Sequence, residues 1–253
     1  PMISGKRVIA AMLTALMAVT FTANTAVSVY ATGVTATENA QTIDAQSTDA
    51  QALTPEEQKA QELQQVYDMP VESNGYKDWP QGPGTYGEAG IVMEVGTGAI
   101  LYAKNIDAHE YPASITKVLT ALVALENGQL TDNVTFSHDS VAFLQRGDSS
   151  VGLKEGNVIT LDQAMHAMLL ASANEAAYAI GESVGVNAGH DYNWFIEQMN
   201  SRCKELGGEN SNFANTNGLH DPNHYTCARD MALIGRELFK HPEFFQIVQT
   251  LNY

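Results

Sequence analysis

Apolar positions in the second half of the chain predict first a hairpin and then a helix. Residues 91–95 and 99–103 are short runs rich in strand-forming side chains, and residues 96–98, Gly-Thr-Gly, fit the turn between them. A helical pattern follows over about 113–125 and ends near Gly128. A hairpin followed directly by a helix is therefore expected at the start of the folded region.

A largely helical lobe is expected downstream of this hairpin. Thr160 with Gln163 three positions later fits a capping box, and Met165, Met168 and Leu169 give the following helix one buried face. Strands that precede a helix-rich run predict an α/β or α+β protein. The remaining predicted elements are short extended pieces at 134–136 and 157–159 and helices at about 173–183, 191–206 and 227–240.

The N-terminal pattern is typical of a targeting segment, and we interpret residues 1–31 as a signal peptide. Lys6 and Arg7 precede an uncharged, mostly apolar run over 8–21, which is shorter than the roughly 20 residues of a membrane-spanning helix. Residues 29–31, Val-Tyr-Ala, fit a cleavage site. The alternative is an uncleaved anchor, and both predict that the rest of the chain lies outside the cytoplasm.

Residues 32–82 form an acidic, low-complexity tether in this interpretation. Large apolar side chains are nearly absent from 32–66, so this stretch cannot bury enough surface to offset its ordering entropy. Thr54 and Glu57 match a capping box and predict a short helix over about 55–67. The folded catalytic domain is then predicted over residues 83–253.

Composition narrows the classes of partner. Acidic residues outnumber basic ones 29 to 13 and the net charge is −16, which argues against nucleic acid and against docking on anionic lipid. Two cysteines are too few for a disulfide scaffold or a four-cysteine zinc site. Because no glycine-rich phosphate loop is evident either, no cofactor is expected.

Candidate chemistry begins with Ser114 and Lys117. At the start of a helix their i, i+3 spacing puts both side chains on one face. A serine hydroxyl needs a base, and burial or the positive end of the helix dipole would lower the pKa of Lys117 enough to make it one. The alternative is an ordinary N-terminal serine and a solvated lysine.

A second motif, Ser172-Ala-Asn174, lies between two predicted helices. Ser172 could relay a proton to a leaving group, and Asn174 could bind a substrate carbonyl and the lysine. Ser172 with Glu175 also matches a capping box, so Ser172 could equally serve as an N-cap.

Two further patterns carry less weight. His220 and His224 have helical metal-ligand spacing, but Asp221-Pro222 between them breaks a helix, so a polar loop is favoured over a metal site. Cys203 falls on an apolar helix face and is interpreted as a core residue, with a Cys203–Cys227 disulfide as the alternative.

The two motifs together give residues 83–253 a resemblance to a known family. They resemble the serine D-alanyl-D-alanine carboxypeptidases, the low-molecular-mass penicillin-binding proteins. The resemblance rests on Ser114-x-x-Lys117, on Ser172-x-Asn174 and on residues 213–225, in the family's order. It implies a β-lactamase/transpeptidase-like fold, with an antiparallel sheet flanked by helices plus a helical lobe.

The resemblance also implies a function. Ser114 would be the nucleophile, Lys117 the general base, Ser172 a proton relay and Asn174 a substrate-binding residue. The substrate would be a peptidoglycan stem peptide ending in D-Ala-D-Ala, with β-lactams as inhibitors and a location in the cell envelope or outside the cell. The alternatives are a β-lactamase of similar fold, which lacks the expected Glu-x-x-x-Asn pattern here, and a non-catalytic wall-binding module.

The chain departs from the family in three respects. The family's third motif, Lys-Thr-Gly, does not occur in these 253 residues, so the resemblance implies a C-terminal truncation that removes this motif and several strands. Membrane attachment through the missing C-terminus stays open. Glu175 stands where Asp is usual in the family, and Cys227 stands where Thr is common.

Overall fold

The structure, a computed structural model, describes residues 53–253, which fall into two units. The described part of the first unit consists of 53–68 and Thr85–Gly87, and it contains helix α1, Pro55–Tyr67. Both halves of the predicted capping box are present, since Glu57 N donates to Thr54 and Thr54 N donates to the Glu57 carboxylate. The signal-peptide prediction for residues 1–31 lies outside the described residues, and the proposed domain boundaries stay predictions.

The second unit comprises Met69–Gly84 and Glu88–Tyr253; a 3₁₀ helix, Glu72–Gly75, precedes the predicted hairpin in it. Strands β1, Gly90–Met93, and β2, Ile100–Lys104, pair antiparallel. Strand β1 ends earlier than expected because the Glu94 carboxylate accepts backbone N–H groups from Gly96 and Thr97, which pulls the chain into the turn. Gly98 completes this turn at φ +78°.

A second small sheet and a series of helices follow. Strands β3 and β4 pair antiparallel, and Thr160 caps α4 through the predicted box with Gln163. The bounds are Thr116–Asn127 for α2, Asn133–Thr135 for β3, His138–Ala142 for α3, Val158–Thr160 for β4, Leu161–Leu170 for α4, Asn174–Asn187 for α5, Tyr192–Glu205 for α6, Ala228–Leu238 for α7 and Pro242–Val248 for α8.

Helix α2 lies at the centre of the helical lobe. It packs against α4, α5, α6 and α7, and Leu119 and Leu122 on it are fully buried in the main apolar core. Two helices were not predicted: α3, which Ser137 caps, and α8, which begins with Pro242. In the described part of the chain, no helix has the length and apolar character needed to cross a membrane.

Candidate active site

Ser114 and Lys117 lie together at the start of α2. Ser114 is exposed on a 3₁₀ turn, Ala113–Ile115, that leads into the helix, whereas Lys117 is buried in the first helical turn. The predicted i, i+3 spacing brings the Lys117 Nζ to 3.0 Å from the Ser114 Oγ. The side chains therefore share one face, with the hydroxyl open to solvent and the amine beneath it.

Two further oxygens complete the surroundings of the Lys117 amine. Its Nζ donates to the Oδ1 of Asn174 at 2.8 Å and to the backbone carbonyl of Asn217 at 2.7 Å. Carbonyl oxygens can only accept hydrogen bonds. A neutral amine with two N–H groups donated to these oxygens keeps its lone pair for the Ser114 hydroxyl. This arrangement can remove the hydroxyl proton.

The electrostatics of the site make the neutral amine more accessible than it is in an exposed lysine. Burial lowers the pKa of Lys117 to about 8, while the negative charge of Glu175 acts in the opposite direction. A lysine in this state is a usable base near neutral pH, which an exposed lysine is not.

Ser172 approaches Ser114 from a strained turn. Its backbone has φ +56°, which is uncommon for serine, and its Oγ donates to the Ser114 Oγ at 3.0 Å. The capping-box alternative for Ser172 is wrong. Helix α5 begins at Asn174, its N-cap is Ala173 without a side-chain bond, and the Glu175 carboxylate binds residues 150–152 instead.

The structure adds a partner that the sequence analysis missed, the backbone carbonyl of Asn217. Gly218 beside it has φ +85°, and a Cβ there would overlap the Ala113 carbonyl. This close approach brings the loop onto the turn that carries Ser114. A backbone carbonyl has no signature in the sequence, although Asn-Gly at 217–218 is a recognisable turn signal.

The two histidines of the loop have separate partners. His224 Nδ1 accepts from Ala214 N at 3.0 Å, so its Nε2 donates to Thr116 Oγ1 at 2.7 Å. Burial lowers the pKa of His224 to about 4, which keeps the ring neutral. His220 instead packs edge-on against Tyr111. Within residues 53–253, no three His, Cys, Asp or Glu side chains are grouped as a metal site would require.

The cysteines do not form the alternative disulfide. Cys203 is buried in the core, as predicted, and Cys227 is buried at the N-cap of α7; both are free thiols.

Comparison with known proteins identifies the family. Residues 80–252 match the family described as Peptidase S11, D-alanyl-D-alanine carboxypeptidase. The chain belongs to this family. D-alanyl-D-alanine carboxypeptidase DacA of Haemophilus influenzae is 33% identical over 169 residues, which are 64% of this chain and 42% of that protein. The carboxypeptidase DacF of Bacillus subtilis is 32% identical over 64% of this chain and 41% of its own length.

Solved structures support the fold that the family assignment implies. The Streptomyces K15 DD-transpeptidase superposes with a TM-score of 0.58 at 29% identity over 63% of both chains. Penicillin binding protein 5 from Haemophilus influenzae gives a TM-score of 0.59 at 32% identity, over 66% of this chain and 49% of that one. The predicted fold class is thereby confirmed. The chain spans less than half the length of the two curated carboxypeptidases.

Proposed function

We propose that this chain carries the acylation centre of a serine D-alanyl-D-alanine carboxypeptidase that acts on peptidoglycan stem peptides. One observation carries the proposal: the buried amine of Lys117 contacts the exposed Ser114 hydroxyl while two carbonyl oxygens hold its other hydrogen-bonding positions. Family membership of residues 80–252 supports the same reaction class.

The geometry suggests an order of events. Ser114 Oγ attacks the carbonyl carbon of the penultimate D-Ala, and Lys117 takes the hydroxyl proton. The C–N bond then breaks, and a proton passed through Ser172 leaves with the terminal D-Ala amine. Water hydrolyses the resulting ester, which returns a proton to Ser114 and releases the shortened peptide.

The side-chain amide of Asn174 can bind Lys117 through its oxygen and the substrate through its nitrogen. Its Oδ1 accepts from Lys117, so its Nδ2 is the donor that can reach a carbonyl of the bound peptide. β-Lactams present a strained amide to the same serine and would form a stable acyl-enzyme.

Labelling of the full-length gene product with a fluorescent penicillin tests the proposal. Wild-type protein should be labelled at Ser114, Ser114→Ala should lose the label, and Ser201→Ala, which alters an exposed serine of α6, should keep it. Labelling that persists in Ser114→Ala would overturn the assignment. Rapid turnover of the penicillin would favour a β-lactamase.

We also infer a location in the cell envelope, where peptidoglycan lies. The basic and apolar character of residues 1–31 supports export. N-terminal sequencing of protein recovered from the envelope should find cleavage after Ala31; recovery of the protein from the cytoplasm alone would contradict the inference.

A further inference from the structure

Four aromatic rings lie near the proposed nucleophile, and the proposed reaction uses none of them. His109 and Tyr225 stack with their ring centroids 4.5 Å apart and an interplanar angle of 18°. Tyr111 and His220 meet edge-on with their centroids 4.7 Å apart. Tyr225 is partly buried, whereas the other three are exposed, Tyr111 to 48%. These four residues are called the ring patch below.

Three members of the ring patch are held together by a short antiparallel pairing of the backbone. Glu110 N donates to the Thr226 carbonyl at 2.7 Å, and Thr226 N donates to the Glu110 carbonyl at 2.9 Å. Side chains alternate between the two sides of such a pairing, so His109, Tyr111 and Tyr225 fall on the same side. The backbone therefore presents these rings as one surface.

The ring patch is close to Ser114 along the chain and across the fold. Tyr111 precedes Ser114 by three residues and His109 precedes it by five. Because a chain spans at most about 3.6 Å per residue, their Cα atoms lie within about 11 Å and about 18 Å of the Ser114 Cα. His220 comes from the loop whose Gly218 meets the turn that carries Ser114.

The rings of the patch have open faces and open polar edges. Within residues 53–253, none of their phenol oxygens or ring nitrogens has a hydrogen-bond partner. The stacked pair uses only one face of each ring, and the ring that presents its edge in the other pair keeps both faces. Such a surface suits a ligand with apolar C–H faces bordered by hydroxyl groups, which is how a pyranose sugar is built.

Charge and polarity narrow the ligand further. The chain has a net charge of −16, and Asp221 directly follows His220, so a polyanion would be repelled. A wholly apolar ligand would cover the phenol and imidazole edges without offering them hydrogen bonds, which costs free energy. An uncharged ligand rich in hydroxyl groups avoids both penalties.

The proposed substrate carries such a ligand. A peptidoglycan stem peptide is joined to a glycan strand of N-acetylated hexosamines. The four residues of a pentapeptide stem that precede the scissile bond span about 14 Å when extended. This length is comparable with the greatest separation between Ser114 and the ring patch, so a stem peptide bound at Ser114 can bring its hexosamine onto the rings.

We propose that the ring patch is a glycan subsite, which binds the hexosamine units that carry the stem peptide. The inference rests on the proposed function in one respect, that a stem peptide leads from Ser114 to the patch. Binding of the sugar itself does not require the reaction. A glycan subsite would make the enzyme prefer stem peptides attached to glycan over free peptides.

Chitotetraose, a tetramer of N-acetylglucosamine that has no peptide, tests the subsite directly. The full-length gene product is labelled with ¹³C in its Tyr and His rings, and His109→Ala and Tyr111→Leu assign two signals of the patch. Both signals should shift saturably when the sugar is added, and each variant should weaken binding at least fivefold. His190→Ala is the matched control, because His190 is also exposed and stacks on Trp194 at 4.9 Å, but it lies outside the patch.

Release of D-Ala provides the functional readout. The kcat/KM is compared for a disaccharide-pentapeptide and for the same pentapeptide without its sugars. Wild-type protein and His190→Ala should prefer the glycan-bearing substrate at least tenfold. In His109→Ala and Tyr111→Leu the ratio of the two kcat/KM values should fall towards one. A general loss of activity or of folded protein would lower both values and leave their ratio unchanged.

Failure of the glycan subsite is distinguishable from failure of the proposed function. If folded wild-type protein does not bind chitotetraose, or if His190→Ala weakens binding as much as His109→Ala does, the glycan subsite is overturned. Ring shifts caused by N-phenylacetylglycine but not by chitotetraose would overturn it too, in favour of an apolar subsite.

If wild-type protein releases no D-Ala from either substrate, the proposed function fails, whereas chitotetraose binding still decides the glycan subsite. If it acts equally on both substrates, the glycan inference alone fails. Should Tyr111→Leu not fold, His109→Ala, which changes an exposed side chain, decides both measurements.

Discussion

The basicity and the orientation of the Lys117 amine are set by the residues that surround it. Burial lowers its pKa to about 8, and two carbonyl oxygens orient the amine so that its lone pair meets Ser114. The spacing of the two residues is local, but both the burial and the orientation come from other parts of the chain. The same is true of Ser172, whose backbone strain directs its hydroxyl at Ser114 rather than at a helix end.

Replacing Lys117 by arginine tests whether a neutral amine is required. Arginine stays protonated in proteins, so Lys117→Arg should slow acylation of Ser114 by about a thousandfold. In wild-type protein the rate should rise with pH through about 8, because the neutral fraction of Lys117 grows there. Time courses with a fluorescent penicillin measure both effects.

Lys154→Arg is the control, since Lys154 is exposed and should tolerate the change. Near-normal acylation in Lys117→Arg would mean that the base is another residue.

At the scale of elements, the loop over 213–225 fits closely against the start of α2. Gly218 contacts the Ala113 carbonyl, His224 donates to Thr116, and Thr120 on the next turn donates to the Thr216 carbonyl at 2.7 Å. These contacts fix where the Asn217 carbonyl lies. The loop therefore acts as part of the site, although it carries none of the predicted site residues.

Alanine at position 218 should disturb this fit. Gly218→Ala adds both left-handed backbone strain and an overlap with the Ala113 carbonyl, and we expect it to lower the free energy of unfolding by about 3 kcal/mol. Gly189→Ala is a matched control, because Gly189 has a similar φ of +83° with open space around it and should cost about 1 kcal/mol.

Urea unfolding of the two variants measures the difference. Equal losses of stability at 218 and 189 would show that the backbone contact with Ala113 contributes nothing.

His224 should make this loop sensitive to acid. Its folded pKa is lowered to about 4 from an ordinary value of 6.5, so the unfolded chain binds the proton more readily. The stability that neutral His224 contributes is complete above about pH 6.5 and is lost as the pH falls towards 4, amounting to at most about 3 kcal/mol.

Unfolding free energies measured from pH 7 to 4 check this prediction. His224→Gln should flatten the profile, while His138→Gln, which changes an exposed histidine, should leave it steep. An unchanged slope in His224→Gln would show that other groups cause the acid sensitivity.

At the scale of the whole molecule, α2 both carries the proposed base and forms much of the core on which the stability of the helical lobe depends. The helix that carries Lys117 is also the one that packs against α4, α5, α6 and α7, so the site is built on an element that lies deep in the lobe. Loss of core packing should therefore remove the site as well.

The two thiols can report on the integrity of this packing. Cys203 and Cys227 are 3% and 1% exposed, and burial raises their pKa values to about 11 and about 12. We expect neither to react with a thiol reagent at pH 8 until urea unfolds the chain, when both should react together.

Ser201→Cys places a thiol on the exposed side of α6 and should react at once. Fast reaction of either native thiol in the folded protein would show that the core opens locally.

The sequence by itself determined the local features of this protein. The hairpin, the capping boxes at Thr54 and Thr160 and the shared face of Ser114 and Lys117 all follow from contacts within a few residues. The tertiary structure alone decided what surrounds the lysine. Asn174 and the Asn217 carbonyl reach it across 57 and 100 residues of sequence, and Glu175 is a loop anchor rather than a helix cap. Such contacts depend on how the elements pack, because burial, a backbone carbonyl and a buried charge leave no periodic pattern in the chain.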